Sequence, residues 1–290
     1  MRSERARTWA LLAPYAVGVA LLVVLPAIFT FGLSLFHYDL LTSPDFRFLG
    51  NFADLLKDRN FNRALENSLI FIAIAVPLRL LGALGLALLL HRDFRGAGAH
   101  RTAAYFPTVV PEAAFALLWL FILNPLYGPM NALIGAVGLP EPQWLTSSGG
   151  AMAAIIFMSC FTIGEGFVVA LATRQELPGE VYELARLEGS GPLHTFGRIT
   201  LPLMAPTLVL LAARDVAFSL QATFVPAFII TEGGPNFATT FLPQLIYDNA
   251  FEGLRYGYAA AMTLTMFLIT LVIVYVQYRV ASRWTFGFSR

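Results

Sequence analysis

Six mostly apolar stretches divide the chain, at roughly 9–36, 67–90, 103–124, 150–173, 203–230 and 256–278. Each has the ~20 residues that a helix needs to cross the hydrocarbon core of a bilayer. The pattern predicts an all-α, polytopic membrane protein with six transmembrane helices. Its interruptions predict where those helices bend. Pro77 falls within the second stretch, and Phe106-Pro107 and Pro111-Glu112 open the third. A proline at membrane depth frees backbone groups that neighbouring helices or water must satisfy, so kinks are expected there. Residues 48–56 have the apolar spacing of a small interfacial helix. After the fifth stretch, Gly233-Gly234-Pro235 forces a turn. A helix resuming near Thr240 is expected to dip back into the outer half of the membrane and line a cavity.

Composition narrows the class. Of 290 residues, 57% are hydrophobic and 13% charged, against about 25% charged in soluble domains. A net charge of +1 argues against a nucleic-acid binder, which would show a basic patch or stripe. The single cysteine, Cys160, excludes an intrachain disulfide and a cysteine-based zinc cluster. Four histidines (His37, His91, His100, His194) lie in loops or at span ends with no H-E-x-x-H or similar constellation, which argues against a membrane-embedded enzyme. No G-x-x-x-x-G-K-[ST] loop occurs, so any ATP hydrolysis belongs to another chain. The first apolar stretch is far longer than the 7–15-residue core of a signal peptide and is expected to be retained.

Lysine and arginine placement orients the spans. With the N-terminus inside, the inner segments hold Arg2, Arg5 and Arg7, then Arg92, Arg95 and Arg101, then Arg174, Arg186 and Arg198, then Arg279, Arg283 and Arg290, whereas the 125–149 loop has no Lys or Arg. Both termini are therefore expected in the cytoplasm.

Five charges fall within the apolar stretches: Arg79, Glu112, Glu165, Arg214 and Asp215. Each should face a cavity or a partner, since a charge at the bilayer centre costs about 2.5–3.5 kcal/mol on insertion scales. Arg214 and Asp215 are adjacent and point about 100° apart on a helix, so each needs a partner elsewhere. Arg79, Glu112, Arg214 and Asp215 fit an ion-pair set that holds helix register. Glu165 lies three and six residues after Thr162 and Ser159. On one helix face these make a polar stripe suited to a hydroxyl-rich ligand.

The segment 183–202, ELARLEGSGPLHTFGRITLP, is a charged elbow between two spans. Its residue types favour a helix over 179–188, stopped by Gly189 and Gly191-Pro192, with a second helix beginning near Leu193. Glu183, Ala185, Gly189, Phe196, Ile199, Leu201 and Pro202 carry the pattern E-x-A-x-x-x-G followed by I-x-L-P. This resembles the EAA loop of permease subunits of binding-protein-dependent ABC importers, with Leu184 and Glu188-Gly189-Ser190 as mild departures. The 48–56 segment, the T-x-G-G-P run at 231–235 and Gly257-Tyr258-Ala259 resemble the sugar-type branch of these permeases.

The resemblance implies the type I ABC importer permease fold with a cytoplasmic coupling helix. It implies an N-terminal span and extracytoplasmic connector at 1–65, a core transmembrane domain at 66–280 and a cytoplasmic tail at 281–290. It also implies a multi-pass protein of the cytoplasmic (inner) membrane that translocates a sugar, first a disaccharide and as runner-up glycerol 3-phosphate. The implied partners are a second homologous permease, two ATP-binding subunits holding Mg-ATP, an extracytoplasmic solute-binding protein and the lipid bilayer, with no cofactor in this chain. Glu183, Ala185, Arg186, Glu188, Gly189 and Ser190 would couple to the ATPase. Ser159, Thr162, Glu165, Leu220, Gln221 and Thr223 would contact substrate. The rival class is an ion-coupled secondary transporter using intramembrane carboxylates, whose folds usually show internal repeats; none is apparent in the sequence.

Overall fold

The computed structural model describes residues 2–285; Arg290 and the end of the 281–290 tail lie outside the described residues, as do the side chains of Arg2, Arg5, Arg7 and Arg283. The chain forms two compact units, one of the residues up to Asn62 with Leu245–Phe267, the other of Arg63–Gln244 with the residues from Leu268 onward.

In the first unit, α1 (Trp9–Leu33) has none of its apolar window buried by protein. Its surface is left for lipid or another subunit. A two-residue antiparallel pair follows, β1 (Phe36–His37) on β2 (Asp45–Phe46), with Phe36 opposite Phe46. This is the one departure from an all-α fold among the described residues. The expected interfacial helix is α2 (Gly50–Lys57), which buries Asn51 and Leu55. Asn51 Nδ2 donates to the carbonyls of Ser34 at 2.8 Å and Phe36 at 2.9 Å. It thereby satisfies two carbonyls in the segment that leads from α1 into β1.

The remaining helices are α3 (Arg59–Leu90), α4 (Ala97–Val109), α5 (Glu112–Ile122), α6 (Pro129–Ala136), α7 (Ser148–Ser159), α8 (Gly164–Glu176), α9 (Gly179–Leu187), α10 (Pro192–Thr231), α11 (Leu242–Tyr247) and α12 (Tyr256–Ala281). By length and composition α1, α3, α10 and α12 can each cross a membrane, and the bent pairs α4–α5 and α7–α8 make six crossings if each pair is one span. Each expected apolar stretch falls on one of these.

The second unit is built on α3. Phe71, Ile72, Ala75 and Val76 pack with Ile155, Ile156, Val216, Leu220 and Phe241. Farther along, Ala83, Leu84, Ala87 and Leu90 pack with Phe167, Ala170, Leu171, Met204, Leu208 and Leu211. The spacing of three and four residues gives α3 one continuous packing face. Lipid tails are as apolar as leucine, so helices associate by close packing rather than by escape from water. The fully buried Ala75, Ala87 and Ala170 let backbones approach. Asn67 Nδ2 donates to the carbonyls of Phe237 (2.8 Å) and Thr240 (3.0 Å), and Ser68 Oγ accepts from the Leu242 N–H at 3.0 Å. These bonds hold the Gly233-Gly234-Pro235 turn, which contains a cis Gly234–Pro235 bond, and start α11 at Leu242. No residue of α11 lines the cavity described below, contrary to the expectation for that segment.

Two breaks position the site. α4 and α5 meet at 98°, where Val110 is extended (ψ 131°) before Pro111 (ψ 135°); a residue before proline is pushed out of the α region. α7 and α8 meet at 44° across residues 160–163, without a proline. The breaks nest. The Gly164 N–H donates to Thr108 Oγ1 at 3.0 Å, and a Cβ on Gly164 would meet Tyr105 Cα and its ring at 3.0 Å. Gly164→Ala should therefore destabilise the protein by about 1–3 kcal/mol through overpacking against backbone, read as a lower thermal midpoint in detergent with helix content preserved.

Candidate functional site

A cavity of about 290 Å³ opens beside these breaks, lined from α4–α5 by Pro107, Thr108 and Glu112, from α7–α8 by Ser159, Thr162 and Glu165, and from α3 and α10 by Phe71, Arg79, Arg214, Asp215 and Phe218. All five charges foreseen within the membrane line it. They form two ion pairs between helices. Arg79 Nε lies 3.1 Å from Asp215 Oδ2, with side chains only 8% and 20% exposed. That contact is too poorly aligned to count as a hydrogen bond. Arg79 Nη2 donates to Ser219 Oγ, which in turn donates to the Asp215 carbonyl, so the buried guanidinium is held at two points. The second pair, Arg214 to Glu165, is half exposed on both sides, and Arg214 also lies over the Phe218 ring at 5.4 Å.

The two pairs also form a partition. Arg79, Thr162, Arg214 and Asp215 line a second void of about 30 Å³, together with Leu80, Ala83, Ile163, Gly166 and Leu211. These residues are nearer the elbow along α3 and α10 than Phe71 and Phe218 are. The charged layer thus separates the cavity from the elbow side.

Two expectations need correction. Glu112 makes no ion pair among the described residues. It sits in the first turn of α5, where the positive end of the helix dipole favours a carboxylate. Glu165, set apart from the ion-pair set, belongs to it. Nor are Ser159, Thr162 and Glu165 a stripe on one straight helix, because the break at 160–163 intervenes. They converge on the cavity all the same. The Ser159 hydroxyl donates to Ile156 O at 2.7 Å and that of Thr162 to Ser159 O at 2.9 Å, each retaining acceptor capacity.

The structure does not bring Leu220, Gln221 and Thr223 to this cavity. Its α10 face runs through Arg214, Phe218 and Ala222 at four-residue steps. Leu220, two residues from Phe218, points about 200° away into the α3 core. Thr223 is buried with an unpartnered Oγ1, and Gln221 is exposed. Thr108, Phe115 and Phe218 line the cavity without having been singled out; they carry no charge, and nothing in their spacing marked them.

The elbow forms as its sequence suggests, with α9 ending one residue early. Gly189 takes φ +78°, its N–H donates to Arg186 O at 3.0 Å and that of Ser190 to Ala185 O at 2.8 Å. This pair of bonds is the Schellman closure that glycine permits at low cost. Ser190 Oγ lies 3.1 Å from Thr195 Oγ1, and Tyr182 Oη 3.2 Å from Thr200 Oγ1. Ala185 is buried, while Glu183, Arg186, Glu188 and Gly189 are exposed. Leu184, Leu187 and Leu193 are 61%, 85% and 86% exposed. The elbow thus presents charged and apolar side chains outward from a locally closed scaffold.

A broken-helix cavity among membrane-length helices of the second unit, with a charged elbow in the same unit, fits a membrane permease component. The family model for the inner membrane component of binding-protein-dependent transport systems matches residues 79–286, and the chain belongs to that family. It is a transport subunit of the inner membrane. It is 30% identical to the sulfoquinovosyl glycerol transport system permease protein SmoG of Agrobacterium fabrum, over 93% of this chain and 88% of that one. It is also 30% identical to the sn-glycerol-3-phosphate transport system permease protein UgpA of Yersinia enterocolitica, over 83% and 82%. Its fold matches a chain of a bacterial alginate ABC transporter crystallised with an alginate pentasaccharide-bound periplasmic protein, at TM-score 0.84 and 21% identity, over 98% and 96%.

The pairs should separate in stability. Removing one partner of a buried ion pair costs about 3–5 kcal/mol because the other charge is stranded, whereas a half-exposed pair contributes about 1 kcal/mol or less. Asp215→Asn should lower the thermal midpoint in detergent far more than Glu165→Gln, and Arg79→Met with Asp215→Leu should recover much of the loss.

Proposed function

We propose that this chain forms half of the membrane pathway of an ATP-driven importer for a neutral, hydroxyl-rich sugar, first of all a disaccharide. The observation that carries the substrate class is the state of the two cavity arginines. Arg79 or Arg214 in the path would by itself favour an anion such as glycerol 3-phosphate. Both line the cavity, but each is already matched by a carboxylate there, and Glu112 adds a further negative group. Two guanidiniums against three carboxylates disfavour a phosphate and suit hydroxyl donors. A volume of about 290 Å³ is at the small end of ligand pockets, about 300–1,000 Å³, which favours a short saccharide over a polymer. The names of relatives (a sulfoquinovosyl glycerol system, an alginate transporter) support carbohydrate import in general.

In this mechanism the N-terminus and the elbow lie on the cytoplasmic side, as the positive-inside pattern favours. Separate ATP-binding subunits dock on α9, with Glu183 offered to a cation and Ala185, Arg186, Glu188, Gly189 and Ser190 shaping the contact. A second, homologous permease completes the pathway, and an extracytoplasmic binding protein delivers solute. Closure of the ATPase dimer moves the elbow, α10 shifts with it, and the charged partition opens. The secondary-transporter alternative is disfavoured by the family assignment.

Uptake of radiolabelled solutes into cells expressing the complete system tests this. Maltose, trehalose or another neutral disaccharide should be transported and glycerol 3-phosphate should not; transport of glycerol 3-phosphate alone would overturn the substrate class. Glu183→Lys should abolish uptake while the protein still inserts, and Glu165→Ala should alter solute preference or lose uptake with subunit assembly preserved.

A further inference from the structure

Where α3, α8, α9 and α10 meet at the elbow there is an open basin of about 740 Å³, whose wall includes Arg92, Arg174 and Arg186 and the hydroxyls of Tyr182, Ser190 and Thr195. The ordinary duty of arginines at helix C-termini is to bond the last carbonyls. Here that duty is discharged by other residues. Arg101 donates to Leu90 O and Arg92 O, Gln175 Nε2 to His91 O, and α9 closes on itself at Gly189 and Ser190. The guanidinium groups of Arg92, Arg174 and Arg186 make no hydrogen bond or ion pair among the described residues. Arg174 is stacked 4.4 Å over the Tyr182 ring, and its Nε is buried without a partner. A solvent-shielded guanidinium nitrogen lacking an acceptor is costly, and an incoming oxyanion would relieve that cost.

Charge and position say what kind of oxyanion. Three guanidiniums face a single carboxylate, Glu183. Burial, with smaller contributions from Arg174, Arg92 and Arg101, holds the His91 imidazole below its ordinary titration range. The basin lies at the ends of two spans, α3 and α10, and its wall includes the apolar Leu88, Leu177 and Phe196. A phosphate joined to acyl chains can occupy such a place with its headgroup among the arginines and its tails beside the helices. Basic pockets between transmembrane helices recognise anionic lipids in this way. We infer that the elbow basin binds the phosphate of an anionic phospholipid, held by Arg92 and Arg174 with the Tyr182 hydroxyl.

The test is native mass spectrometry of the full chain purified in detergent and titrated with phosphatidylglycerol or phosphatidylcholine. Wild type should retain phosphatidylglycerol preferentially. Arg92→Gln with Arg174→Gln should reduce that preference by roughly twenty-five-fold, at about fivefold for each charge removed. Arg92→Lys with Arg174→Lys keeps the charge and should keep part of the preference, which separates lost recognition from lost folding; helix content by circular dichroism checks the latter. Millimolar inorganic phosphate should not displace the lipid. Equal retention of the two lipids by wild type, or an unchanged preference in the glutamine variant, would overturn the site. Displacement by phosphate alone would overturn the lipid as its source. Loss of ATPase co-purification with lipid preference intact would assign the arginines to the partner subunit instead. None of these readouts depends on which solute is transported.

Discussion

A backbone interrupted at membrane depth has nowhere to turn for hydrogen bonds except other protein groups or enclosed water, and the second unit is arranged around that constraint. Two of its spans are broken, and the breaks sit against each other. The exposed N–H at the start of α8 finds Thr108 on the neighbouring break, and the absence of a side chain on Gly164 lets the two come that close. Because both spans bend away at the same place, a cavity opens beside them, and the residues flanking the bends become its lining.

The charges complete the arrangement. Five ionisable groups in apolar spans would be an expensive set if scattered. Gathered on one cavity, four of them compensate each other across helices and the fifth uses a helix N-terminus. The two pairs differ in kind. Arg79 and Asp215 are enclosed and doubly held, which suits a fixed strut between α3 and α10. Arg214 and Glu165 face open space, where exchange of partners costs little. A layer that is rigid on one side and exchangeable on the other can divide the cavity from the elbow at rest and still part.

Much of this was legible in the residues alone. Span number follows from apolar length, which is a strong constraint in lipid. The elbow follows from Gly189, Gly191 and Pro192, whose backbone restrictions act locally. The α4–α5 break was announced by Pro107 and Pro111. The α7–α8 break was not, since residues 160–163 hold neither proline nor a glycine pair, and the bend there depends on the packing of Gly164 against Tyr105. That is why Ser159, Thr162 and Glu165 were placed on one straight face. The partners of the charges were half legible. Adjacent Arg214 and Asp215 had to pair outward, but the choice of Glu165 over Glu112 depends on helix rotations that no local signal encodes. The same rotations turn Leu220 into the core and away from the cavity.

The closure of α9 has a consequence for how such a chain can change over time. Its terminal bonds run within the elbow itself, and of the motif residues only Ala185 is tucked under. Leu184, Leu187 and Leu193 belong to none of the packed clusters of the bundle. Exposed as they are, their identities can change with little effect on those clusters. The outward face of this turn is therefore free to vary on its own, apart from the cavity among the helices.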